Sequence, residues 1–291
     1  MRVLLVGGNG QLGRGLQCCK PVDMELLALG SSELDIRETE AVAARVNTIQ
    51  PQVIINAAAY TAVDRAESEQ EAAFAVNGQG AANLARAARA VGAYCLQIST
   101  DFVFDGEQSR PYLPTDHTSP LGVYGASKLA GEQLALAAYP EGVAVVRTAW
   151  LYFAFGSNFV TTMLRLMGER ESIGVVVDQV GTPTWGRGLA EALWRMCRVQ
   201  PKGIFHWTDA GVASWYDFAV AIQEEGLGCG LLKREIPVLP INTVEYPTPA
   251  RRPAYSVLDK TGTWAALGIQ PMHWRVALRR MLLEYKGVGN A

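Results

Sequence analysis

The feature that most constrains this chain is its beginning. A short apolar run, Val3-Leu4-Leu5-Val6, stops at Gly7-Gly8-Asn9-Gly10-Gln11-Leu12-Gly13. The string satisfies G-x-G-x-x-G from Gly8 and G-x-x-G-x-x-G from Gly7. Periodicity alone does not separate a buried strand from a helix fragment in so short a run. Its length and the glycine stop favour a strand. Glycines at these spacings permit a tight turn, let backbone N–H groups approach a pyrophosphate, and let the following helix pack close to the sheet. Gly-rich turns without a ligand share the motif, but its place directly after a strand is the context that a nucleotide-binding turn requires. Gly7, Gly10 and Gly13 are therefore candidate cofactor residues.

Similar apolar runs recur at Leu26–Leu29, Val53–Ile55, Cys95–Ile98 and Val143–Val146. Between them, Arg37–Ile49, Ala81–Val91 and Gly125–Tyr139 read as helices, stopped by Pro51, Gly92 and Pro140. Strands alternating with helices predict βαβ units and a parallel sheet. Continuously apolar strands fit a sheet covered on both faces. After about Trp150 the alternation loosens. Helices are expected over Phe159–Arg170, Gly188–Arg198, Ser214–Gly226 and His273–Tyr285, with a proline-broken stretch between Pro237 and Pro253. The expected fold is α/β, a doubly wound parallel sheet with a smaller α/β substrate lobe. Residues 1–150 would form the dinucleotide-binding domain, with about 175–200 returning to it. Residues of about 151–174 and 201–291 would form mainly the substrate lobe.

Composition excludes several classes. The chain of 291 residues carries 26 Lys+Arg against 28 Asp+Glu, so its charge makes no case for nucleic acid. Five cysteines without a C-x-x-C pair argue against a disulfide framework or a zinc ribbon. His117, His206 and His273 lack metal-ligand spacing, and no metal is expected. The N-terminal apolar run is too short for a signal peptide or a membrane span, so a cytoplasmic protein without membrane contact is expected.

The second strand bears on which dinucleotide would bind. It ends Leu29-Gly30-Ser31-Ser32, without the carboxylate that would hold an adenosine ribose 2′-hydroxyl. Two hydroxyls and no repelling charge leave room for a 2′-phosphate, which favours NADPH and leaves NADH open. No arginine stands beside them. Asp35, with Ile36, lies a little further on; it fits either an adenine-side contact or a helix N-terminal carboxylate.

Tyr124 and Lys128 lie four residues apart, on one helix face. A nearby ammonium favours phenolate and lowers a tyrosine pKa, which lets the phenol act as acid or base. Such a pair is common on surfaces; here it opens a helix downstream of a nucleotide turn. The fourth strand ends Ile98-Ser99-Thr100-Asp101, where a doubly wound sheet places its ligands. A Thr100 hydroxyl there would hydrogen-bond a reacting oxygen. The three features together make a reductase constellation.

At this point the chain resembles the extended short-chain dehydrogenase/reductases, Rossmann-like in fold, and more narrowly the dTDP-4-dehydrorhamnose reductases. The resemblance rests on GGNGQLG (7–13), NAAAYTAVDRAE (56–67), STDFVFDG (99–106), SPLGVYGASKLAGE (119–132), RTAWLY (147–152), DQVGTPT (178–184) and PTPARRPAYSVLD (247–259), so it covers nearly the whole chain. It implies NADPH-dependent reduction of the C4 ketone of a dTDP-sugar. Tyr124 would donate the proton, Lys128 would hold the nicotinamide ribose and lower the Tyr124 pKa, and Thr100 would polarise the carbonyl. Gln11, Leu12, Ala59, Tyr60 and Thr61 would line the cofactor. Asp101, Trp150, Asn158 and Arg252 would lie towards the sugar nucleotide, Arg252 either on the pyrophosphate or in solvent.

The chain also departs from the family. Phe102 stands where the family string usually has tyrosine, which removes one hydroxyl near the substrate. Some members are dimers bridged by magnesium through acidic residues; Gly15 stands where such a carboxylate is expected, so the bridged dimer is not expected and either a monomer or a homodimer remains. Related dehydratases carry Asp-Glu after the strand-end threonine, and Asp101-Phe102 disfavours dehydration here. The alternative is non-catalytic: the regulatory β subunit of methionine adenosyltransferase has this fold and similar strings. Retained Thr100, Tyr124 and Lys128 weigh against it, although fold alone does not fix function.

Overall fold

The computed structural model describes residues 1–270 and 272–289. Its first half alternates strand and helix: β1 (Arg2–Val6), α1 (Gln11–Cys18), β2 (Glu25–Leu29), α2 (Thr39–Ile49), β3 (Val53–Asn56), α3 (Gly80–Val91), β4 (Tyr94–Thr100), α4 (Val123–Ala138) and β5 (Val143–Thr148). There follow α5 (Phe159–Glu169), α6 (Gly186–Val199), β6 (Gly203–His206), α7 (Trp215–Gly228) and α8 (Trp274–Gly289). The strands β1 to β6 form one parallel six-stranded sheet in the order β6-β5-β4-β3-β1-β2.

Alternation of side chains splits each inner strand between two cores. Val3 and Leu5 of β1, Val53 and Ile55 of β3, and Leu96 and Ile98 of β4 face α1 and α6. Leu4, Val6, Ile54 and Cys95 point the other way, against α2, α3 and α4. Both faces are covered, which is why the strands read as unbroken apolar runs. The chain order reverses beside β1, with β2 on one side and β3 on the other. That reversal opens a crevice beyond the carboxyl ends of the strands.

A separate core gathers α5, α7 and α8 around Phe218, Trp274 and Leu278, with Ile173–Val176 pairing Val238–Ile241 in parallel. The large sheet reaches further along the chain than residue 200. The edge strand β6 pairs with β5 at Ile204↔Val145, and the short helix Thr261–Leu267 lies beside it. Among the described residues, no helix is long and apolar enough to cross a membrane.

Candidate active site

The turn after β1 holds its shape through glycine. Gly7 has φ +82°, and a Cβ there would lie 2.5 Å from the Ala58 nitrogen. A Cβ on Gly13 would lie 2.2 Å from the Gly7 carbonyl oxygen, so α1 packs onto the turn only with glycine at that position. The Gly7 and Gly8 amides both donate to the Leu29 carbonyl. Helix α1 then begins after Gly10 with no side chain capping it and no acidic residue in its first turn. Its first N–H groups and its positive dipole end suit a negatively charged group.

A cleft of about 710 Å³ runs from this turn along the strand ends. Gly7, Gly10, Gln11 and Leu12 line its floor; Ser31, Asp35 and Ile36 line one end; Ala59, Tyr60 and Thr61 line a wall. Thr100, Asp101, Tyr124, Lys128 and Trp150 meet at the other end. Gly13 supports the floor from behind rather than lining the cleft. Gln11 lines it but spends its amide on the Ser157 carbonyl at 2.8 Å.

Two expected substrate residues lie elsewhere. Asn158 is the N-cap of α5: its side-chain oxygen accepts from Thr161 N, and its amide donates to the Phe153 carbonyl at 2.9 Å. Arg252 pairs with Asp64 at 3.0 Å and donates to Thr248 and Ala250. Local polar partners satisfy both, and neither lines the cleft.

Sequence reasoning passed over Arg37, which lines the cleft, and Asn77, which lies behind its wall. Arg37 grips Asp35, with Nε 2.9 Å from Oδ1 and Nη2 2.5 Å from Oδ2. An arginine thus lines the same cleft as Ser31, six residues further along the chain. Its hydrogen bonds hold the Asp35 carboxyl below the usual carboxylate range. Asn77, 2% exposed, lies in a π-helical turn over Ala75–Gln79. Its oxygen accepts from Tyr60 N at 2.9 Å, and its nitrogen donates to Tyr60 O at 3.1 Å and to Ser127 Oγ at 2.9 Å. It ties the wall of the cleft to α4. Only the Asn-Gly pair hinted at an irregularity there, because a π turn breaks helical periodicity.

At the reactive end, Thr100 ends β4 and caps the turn Asp101–Val103, accepting from Phe102 N at 3.2 Å and donating to Asp101 Oδ1 at 3.0 Å. Asp101 is 2% exposed, with Ser256 as well as Thr100 set against its carboxylate. Burial pushes its carboxyl up to about 6, against hydrogen bonds that lower it. Helix α4 presses close to the same turn: a Cβ on Gly125 would lie 2.1 Å from the Phe102 carbonyl oxygen. The Phe102 ring meets Tyr124 edge to face, with centroids 5.7 Å apart.

Lys128, 4% exposed, donates to the Ile98 carbonyl at 2.6 Å. Burial lowers its ammonium to about 8, while the Glu132 carboxylate pulls it back up. Burial pushes the Tyr124 phenol up to about 12, against a hydrogen bond with Thr100 that lowers it. The expectation that Lys128 lowers the Tyr124 pKa is not met in this structure: the ammonium is engaged by the Ile98 carbonyl, and desolvation of the phenolate outweighs the rest.

A parallel sheet with this turn, a strand-end threonine and a Tyr-x-x-x-Lys helix at one cleft define the short-chain dehydrogenase/reductase class. Within it, the chain belongs to the RmlD substrate binding domain family, whose sequence profile matches residues 1–286. The chain is 44% identical to the dTDP-4-dehydrorhamnose reductase of Aggregatibacter actinomycetemcomitans, over 96% of this chain and 98% of that one. It is similar to the crystal structure of a dTDP-4-dehydrorhamnose reductase from Clostridium acetobutylicum, with TM-score 0.92 and 40% identity over the whole of both chains. It is equally similar in fold to the Bacillus anthracis enzyme solved in complex with NADP, with TM-score 0.92 and 38% identity over 97% of this chain and 99% of that one. These relatives give no support to the non-catalytic reading.

Proposed function

We propose that this protein reduces the C4 ketone of dTDP-4-dehydro-L-rhamnose to dTDP-L-rhamnose, with NADPH as reductant and Tyr124 as proton donor. The observation that carries the reading is the meeting of Thr100, Tyr124 and Lys128 at one end of the cleft whose other end is the glycine turn. The residues fit the cofactor: the turn packs against the Ala57–Ala58 backbone only without a Cβ at Gly7, and α1 opens without a capping side chain. When bound, NADPH supplies the hydride.

The glycine turn and the first N–H groups of α1 hold the pyrophosphate. Ser31 and Arg37 face the adenosine ribose, where a guanidinium suits a 2′-phosphate. Lys128 would hold the nicotinamide ribose and would keep a positive charge near the reacting oxygen. The Thr100 hydroxyl turns from Asp101 to the substrate carbonyl and polarises it. Tyr124 then gives its phenolic proton to that oxygen as negative charge develops there. Asp101 and Trp150 line the sugar side, and the sugar nucleotide lies between the sheet crevice and the second core, so that segments 151–174 and 201–291 contribute most of its contacts. Arg252 braces Asp64 near that side.

The test follows NADPH absorbance with pure protein and dTDP-4-dehydro-L-rhamnose. Oxidation that depends on the sugar, with dTDP-L-rhamnose as product, supports the reading. A folded protein that binds NADPH and oxidises none of it sinks the reading.

A further inference from the structure

Trp150 has φ +47°, a left-handed backbone that bulky L-residues rarely adopt. Among the described residues, the other two non-glycine positions of this kind, Gln50 and Gln200, close α2 and α6. A left-handed residue is ordinary at a helix end. Trp150 ends no helix, and such a conformation persists only where its surroundings over-determine it.

Those surroundings are specific. The Trp150 carbonyl accepts from Thr184 N at 3.1 Å, and Leu151 pairs in register with Thr184. The indole lies on the Trp215 indole, with centroids 3.5 Å apart and planes 7° from parallel. Face-to-face stacking is not what two free aromatic rings prefer, so the scaffold imposes it. Behind the indole sits Gly181, where a Cβ would come 2.8 Å from Trp150 Cε2. One short ribbon fixes both neighbours: Val180–Gly181 pairs antiparallel with Ala213–Ser214. Ser214 is the N-cap of α7, in a capping box with Asp217, which makes Trp215 the first residue of that helix. Both indoles line the cleft next to the Tyr124 end.

We propose that Trp215 and Gly181 are positioning residues that lock Trp150 in its left-handed conformation, so that the indole stands as a preset wall for the apolar face of a 6-deoxy sugar. This rests on the reductase reading. A wall set in advance costs the protein no ordering when substrate arrives. The lock acts on the sugar side alone, because the glycine turn and Lys128 hold the cofactor through other elements.

The test compares Trp215→Ala, Trp215→Phe and Gly181→Ala with wild type. It reads KM for the sugar nucleotide, KM for NADPH, and the exciton couplet of stacked indoles in circular dichroism. Trp215→Ala is expected to abolish the couplet and to raise the sugar KM about tenfold, with the NADPH KM held within about twofold. Trp215→Phe keeps a ring under Trp150 and brings the sugar KM back to within about threefold of wild type. Gly181→Ala leaves both indoles in the chain, and is expected to change the couplet and raise the sugar KM; it carries the test if Trp215→Ala does not fold. A lost couplet with an unchanged sugar KM overturns the proposal, as does an equal rise in both KM values. If the wild type turns over no sugar, the reductase reading fails instead. An unchanged couplet in Gly181→Ala would then refute the lock by itself.

Discussion

The buried pair beneath the catalytic strand ends offers a demanding prediction. Arg147 on β5 and Glu132 on α4 both have side chains 2% exposed. The guanidinium forks onto the carboxylate, with Nε 2.9 Å from Oε1 and Nη2 2.7 Å from Oε2. Ser99, next to Thr100, donates to the same carboxylate. Glu132→Gln strands the Arg147 charge in a dry interior, which costs about 3–5 kcal/mol when one partner of such a pair is removed. At about 2.1 cal/mol/K per residue, unfolding 291 residues gives an entropy of about 0.6 kcal/mol/K, so Tm falls by about 5–8 °C. The double variant Glu132→Leu with Arg147→Met removes both charges and is expected to melt above the single one. Glu132 lies four residues after Lys128, and its charge supports the ammonium. In Glu132→Gln the lysine therefore titrates below about 8, and the alkaline limb of the activity profile moves to lower pH. Thermal melts and a pH series of kcat/KM check both statements. A Tm within about 1 °C of wild type, with an unmoved alkaline limb, would refute the reasoning.

Two further predictions concern the cofactor end and the second layer. Arg37→Ala removes charge-assisted hydrogen bonds from the expected 2′-phosphate side, so KM for NADPH rises about tenfold or more while KM for NADH changes less than about threefold; steady-state kinetics with both cofactors decide it. Asp209 is buried and pushed up to about 8, while its Oδ2 accepts from Trp185 N at 2.9 Å. The folded protein holds that proton more tightly than the unfolded chain, so this group's contribution is fully present below the ordinary aspartate pKa and is lost as pH rises through about 8. Asp209→Asn keeps an acceptor without the charge, and melts from pH 5 to 9 are expected to show a weaker decline than wild type; a decline as steep as wild type contradicts the burial argument.

How far the sequence foretold this molecule depended on burial. The strands from β1 to β5 announced themselves as apolar runs; β1, β3, β4 and β5 do so because they are covered on both faces, and the edge strand β2 does so through Leu26–Leu29. The sixth, Gly203–His206, offers only two apolar residues, Ile204 and Phe205, between a glycine and a histidine, too short a run to stand out. The glycine turn, Thr100, Tyr124 and Lys128 were legible because their chemistry depends on short local spacing. Arg37 was not, because it reaches the cleft from outside the strand and its motif, held there by Asp35. The pairing of Trp150 with Trp215 was not either, because two distant segments make it. Spacing also did not show that Asn158 caps a helix and that Arg252 pairs with Asp64, because a polar residue near a cleft is as readily used by a cap or an ion pair as by a ligand. The Tyr124 pKa went astray because spacing reports the nearby ammonium and not the desolvation that outweighs it.

The most direct measurement of the central claim is turnover by Tyr124→Phe beside its affinity for NADPH. Phenylalanine keeps the ring and removes the one proton that the mechanism needs. Turnover of dTDP-4-dehydro-L-rhamnose should fall by about 10²–10⁴, while NADPH binding, followed by fluorescence titration, stays as in wild type. Undiminished turnover in that variant would contradict the account.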